Sequence, residues 1–91
     1  MQSKVLNYRV IVKPDKRTGT DEPCFSAFCP TLGIADDGDS FEKALANIQK
    51  LIKFHLECLT EEREKIPIDE PEKEIITTTR VELPLRASLA S

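Results

Sequence analysis

Residues 25–59, FSAFCPTLGIADDGDSFEKALANIQKLIKFHLECL, decide the fold of this 91-residue chain. The stretch opens on a short apolar run and bends at Pro30-Thr31-Leu32-Gly33. It then crosses an acidic turn and enters a long amphipathic segment. Ser40 or Asp39 stands where an N-cap side chain accepts from the free amides of a first helical turn. Asp39 and Glu42 also have capping-box spacing. Phe41, Ala44, Leu45, Ile48, Leu51, Ile52, Leu56 and Leu59 then recur as one helical stripe across five turns. The spacing predicts a helix over residues 40–64. Burying such a stripe stabilises a fold by roughly 1.5–3 kcal/mol per large apolar side chain.

Working outward, residues 24–29 read as a strand, with Phe25, Ala27 and Cys29 on one face and Ser26 and Phe28 on the other. Residues 34–36 extend into a short third strand. Upstream, residues 4–13 (KVLNYRVIVK) alternate: Leu6, Tyr8, Val10 and Val12 share one face, and Arg9, Ile11 and Lys13 the other. Pro14 is expected to end that strand, because proline offers no ladder donor. The polar segment 15–23 with Gly19 predicts a long hairpin tip. Downstream, Pro67 is expected to stop the helical region, since the residue before a proline avoids the α basin. Residues 75–83 (IITTTRVEL) are rich in β-branched side chains and read as a fourth strand, at the sheet's edge or in a dimer seam. The expected fold class is α+β, in the order β-β-β-α-β, with a mainly antiparallel sheet packed on one long helix.

Ninety-one residues allow one domain, and a domain this small buries a modest share of its surface, which favours association into a homodimer. The net charge of −3 argues against general nucleic-acid binding and suits a basic partner. Its distribution is uneven. Residues 1–20 carry a net +4, whereas residues 21–40 carry Asp21, Glu22, Asp36, Asp37 and Asp39 with no base, a net −5. This acidity either faces a cationic surface or is a solvated loop placed favourably near a helix N-terminus.

Chemistry-bearing patterns are sparse. Cys24, Cys29 and Cys58 are odd in number and lack C-x-x-C spacing, so they read as small apolar residues of a reducing cytoplasm. His55, the only histidine, borders the apolar stripe and reads as structural. The acidic turn lacks the ligand spacing of a calcium-binding loop. Gly33 and Gly38 read as turn residues and not as a phosphate cradle. No catalytic, cofactor-binding or metal-binding residue is expected, and no apolar run approaches a membrane span.

Three pieces together resemble the HicB-type antitoxin family: Phe28-Cys29-Pro30-Thr31-Leu32-Gly33, Gly38-Asp39-Ser40, and Phe41-Glu42-Lys43-Ala44-Leu45-Ala46-Asn47. Ile66-Pro67 and residues 79–84 correspond more loosely to the family's linker and final strand. The resemblance spans residues 5–84 and implies a partial RNase H-like core. It places a HicB-like domain at residues 1–84 and a short tail at 85–91. It also implies binding and neutralisation of a small, basic HicA-type RNA-cleaving toxin. Asp36, Asp37, Asp39 and Phe28 are the expected partner-binding residues. Too few residues follow Pro84 for a helix-turn-helix or ribbon-helix-helix, so this chain is not expected to bind operator DNA by itself. Two alternatives stand beside the antitoxin reading: a solitary oligomeric binding module without a toxin, and a minimal metal-dependent nuclease.

Overall fold

The structure, a computed structural model, describes residues 4–90. Three strands, β1 (Ile11–Lys16), β2 (Pro23–Cys29) and β3 (Ile34–Gly38), form an antiparallel sheet in chain order, and one helix, α1 (Phe41–Glu61), packs across it. A single 3-10 turn follows at Pro71–Lys73. The molecule is therefore α+β, as the sequence predicts.

Register fixes the two faces. Val12 pairs with Ala27, and Ala27 with Asp36; Cys29 pairs with Ile34. These positions face α1, where Ala27, Cys29, Ala44 and Ile48 are fully buried and Val10, Val12, Phe25, Leu32, Ile34 and Ile52 pack around them. Truncating Ile48 to alanine would cost about 2–5 kcal/mol.

The helix starts where the capping residues place it. Ser40 is the N-cap, and its hydroxyl accepts from the Lys43 amide at 3.1 Å. Asp39, the other candidate, points instead to Arg17. The Asn47 side-chain amide donates to the Asp37 carbonyl at 2.8 Å and ties the second turn to the end of β3. Gly38 makes that approach possible, because a Cβ there would stand 2.4 Å from the Ala44 backbone nitrogen.

Besides β3, which runs two residues past the expected 34–36, four features differ from the sequence reading. The first strand is Ile11–Lys16, and residues 4–10 run unpaired ahead of it. Pro14 lies inside it, opposite Phe25, because β1 is an edge strand and an edge can seat a residue without a donor. The helix ends well before Pro67. Arg63 adopts φ 60°, its amide donates to Thr60 O at 3.1 Å, and the Glu64 amide returns to Leu59 O at 2.9 Å. This is a Schellman closure with arginine where glycine is usual.

The fourth difference is the largest. Residues 75–83 form no strand among the described residues. Ile75, Ile76, Val81 and Leu83 are instead exposed, at 61–90%. β-branched composition makes a segment competent for a sheet, but a strand exists only with a neighbour to bond. The helix shows the consequence. Only Ala44 and Ile48 of its stripe are fully buried, while Phe41 and Leu45 are 48% and 39% exposed. Three strands do not cover the whole apolar flank of a 21-residue helix.

Candidate functional site: the uncovered sheet face and its acidic rim

Among the described residues, no helix or further strand covers the face of the sheet turned away from α1. Phe28 sits on the central strand of that face, between Ile11 of β1 and Ala35 of β3 in register. Phe28 is 42% exposed and Ile11 55%. The next row along the strands reads Lys13, Ser26, Asp37. An apolar row thus borders a polar and charged one.

The three expected acidic residues are not equivalent. Asp37 projects from this outer face with its carboxylate half exposed, and Asp39 lies just past the strand, more exposed still. Asp36 belongs by register to the helix side and is half-buried; its Oδ1 accepts from the Asp37 amide at 2.8 Å. The hairpin tip brings Arg17 to the pair. Its guanidinium donates to Asp39 and stands 3.7 Å from Asp37. The tip holds that position through Arg17 N to Glu22 O at 2.9 Å and Asp21 N to Arg17 O at 3.1 Å. The Asp39 hydrogen bond, reinforced by the charges of Asp39 and Asp37, pushes the Arg17 pKa up. Sequence reasoning found the acidic cluster but did not join Arg17 of the basic hairpin tip to it, because 20 residues separate Arg17 from Asp37 and only the hairpin brings them together. Ile11 and Ala35 were also missed, since a row across three strands is visible only once the register is known.

A shallow hollow of about 350 Å³ lies where the tip meets β2 and β3, lined by Asp15, Arg17, Cys24, Ser26 and Asp37 among others. Cys24 is buried there, and all three cysteines are free thiols. Among the described residues no three His, Cys, Asp or Glu side chains come together as a metal ligand set. None of the described helices is long and apolar enough to cross a membrane.

A second polar cluster, unseen in the sequence, closes the far end of the sheet. The Arg9 guanidinium binds Asp69 at 2.8 Å and Glu74 at 2.9 Å, and its backbone amide donates to Asp69 at 2.6 Å. The Tyr8 hydroxyl donates to the Pro67 carbonyl. Residues 66–74 are thereby strapped across residues 8–9. The Asp69 carboxylate is only 2% exposed. The Arg9 side chain and then its amide hold the Asp69 pKa below the usual carboxylate range, with the Thr31 hydroxyl adding to the effect. Arg9 lowers the Glu74 pKa in the same way. Burial, followed by the nearby Cys29 and Asp69, raises the Tyr8 phenol.

Fold and face together define a small α+β protein: a three-stranded antiparallel sheet backed by one helix, with the opposite face open. The chain belongs to the UPF0150 family. It is 34% identical over 65 residues to the UPF0150 protein ssr1765 of Synechocystis sp., a match covering 70% of this chain and 76% of that protein. No family model matches the chain, and no solved structure does.

Proposed function

We propose that this chain is a HicB-like antitoxin that binds and neutralises a small, basic HicA-type RNA-cleaving toxin in the cytoplasm. The observation that carries this reading is the open outer face of the sheet. Its apolar row Ile11–Phe28–Ala35 is exposed and flanked by Asp37 and Asp39. Apolar side chains at the centre supply affinity, and the acids at the rim orient a cationic surface. Family membership and the resemblance of residues 28–47 to HicB-type sequences support the same reading.

Asp37 and Asp39 already share Arg17, so a basic partner must displace Arg17 or use it as part of the rim. That pairing favours a second reading, a solitary binding module in which the acids are structural. Co-purification with the product of a neighbouring short, basic reading frame separates the two. The antitoxin reading expects a stable complex and loss of that protein's RNase activity. No complex, with the RNase activity intact, rejects it.

A further inference from the structure

The outer face of the sheet is not open along its whole length. Cys24 alternates with Ser26 and Phe28 on β2 and so belongs to that face. Phe28 is 42% exposed there, yet Cys24 is only 5% exposed. What lies over Cys24 is a side chain. The bond from Arg17 N to Glu22 O carries the β1–β2 pairing one step beyond Lys16 and Pro23, so by the same alternation the Arg17 side chain leaves the hairpin on the outer face. It starts on the β1 side of β2 and ends on the β3 side, at Asp39 and Asp37. Its stem therefore crosses β2 at the level of Cys24. Arg17, Thr18, Cys24, Ser26 and Asp37 line one hollow of about 350 Å³.

Arg17 also shields the charge of the rim. Lys13 and Arg17 stand against Asp37 and Asp39 on this face. Two cations beside two carboxylates leave little field to draw in a basic surface. The shield is weakly held. The Arg17 side chain is one-third exposed and both carboxylates are more than half exposed, so water screens the attraction. Among the described hydrogen bonds and ion pairs, the Arg17 guanidinium meets Asp39 and Asp37 alone. Rotation about its side-chain torsions releases it quickly, and the backbone bonds that close the hairpin tip stay intact.

We propose that Arg17 is an autoinhibitory bolt across the docking face, displaced when a guanidinium of the basic partner takes Asp37 and Asp39 in its place. The exchange replaces one ion pair by another at the same carboxylates, so it leaves no charge unpaired. A guanidinium is the fitting replacement because its planar fork serves two carboxylates at once, as Arg17 does, whereas an ammonium is a point charge. With the stem swung into water, Cys24 and Ser26 join Phe28 on the open face. The inference rests on the docking face proposed above, and it makes Arg17 a competitor of the partner rather than a part of the rim.

Cys24 reports the bolt. The native full chain is treated with a maleimide and the labelled thiol is identified by peptide mass, with the fully buried Cys29 as the control for unfolding. Arg17→Ala should raise Cys24 labelling several-fold and leave Cys29 unlabelled. Lys16→Ala, which removes the same charge from the neighbouring residue, should label at the parental rate. Asp37→Asn combined with Asp39→Asn should release the bolt from its other end and label Cys24 as Arg17→Ala does. In calorimetric titration, a hexa-arginine peptide should bind Arg17→Ala several-fold more tightly than it binds Lys16→Ala, and hexa-lysine should show a smaller difference. Parental labelling of Cys24 in Arg17→Ala overturns the proposal. So does hexa-arginine binding to Arg17→Ala that is no tighter than to Lys16→Ala. Capture of the neighbouring basic protein is scored apart. Its absence, with the thiol and peptide results as expected, rejects the antitoxin reading and upholds the bolt; its presence, with parental labelling in Arg17→Ala, does the reverse.

Discussion

Arg9 and Asp69 stand 60 residues apart in the chain and meet through both side chain and backbone, at 2.8 Å and 2.6 Å. This contact converts the segment after the helix into a strap and sets the point from which the C-terminal arm departs. Arg9→Ala is expected to free residues 66–74 while the sheet and helix stay folded. Limited proteolysis at Lys65 and Lys73 should accelerate several-fold, since cleavage follows the population of locally opened chain.

The Arg9 contact makes the strap pH-dependent at the acid end. The folded-state pKa of Asp69 lies below its unfolded value near 3.8, and that of Glu74 below 4.5. Their stabilisation is complete above those unfolded values and is lost as pH falls through the lowered folded ones. Strap protection, followed by amide exchange at Arg9, should be constant from neutral pH down to the ordinary carboxylate range and disappear below it. Asp69→Asn should abolish most of that acid transition.

Gly38→Ala is expected to destabilise the protein by about 1–3 kcal/mol, the usual range for forcing a methyl group into occupied space. The obstruction is the backbone of the first helical turn, 2.4 Å from the new atom, which cannot rotate away. Thermal unfolding would measure the loss.

Arg63→Gly should stabilise the helix end by about 0.5–1 kcal/mol, because a side chain in the left-handed region is strained and glycine is not. Arg63 has φ 60° and its side chain appears in none of the described ion pairs, so little is lost with it. A rise in melting temperature is the expected readout.

Phe28→Glu is expected to leave stability within about 0.5 kcal/mol of the parent, as at other surface positions away from special features. Under the antitoxin reading it should weaken capture of the basic partner at least tenfold, because the substitution puts a charge at the centre of the apolar row. Calorimetric titration with the partner would show a reduced affinity. Unchanged affinity would remove the outer face from the interface.

The helix was legible because its evidence is local: a capping serine, a stripe recurring every three to four residues, and an acidic first turn. The β2–β3 connection was legible for the same reason. Pro30 and Gly33 sit at the bend, and Gly33 takes φ 67° with its amide on Cys29 O at 2.8 Å. The alternation of residues 24–29 placed Ala27 and Cys29 on the buried face, and Asp36, Asp37 and Asp39 were visible as a run of charge.

Interactions between distant residues were not legible. Arg17 reaches the acidic run only because the β1–β2 hairpin folds its tip beside β3, and Arg9 meets Asp69 only after the chain has turned back from the helix. Pro14 could join a strand because tertiary structure made β1 an edge. The β-branched run at 75–83 could not become a strand in the isolated chain, because no partner lies beside it. Local pattern determines which conformation a segment favours at a cost of about 1 kcal/mol per residue or less. Whether a side chain or a strand edge finds its partner depends on chain closure over tens of residues, and only the folded arrangement decides that.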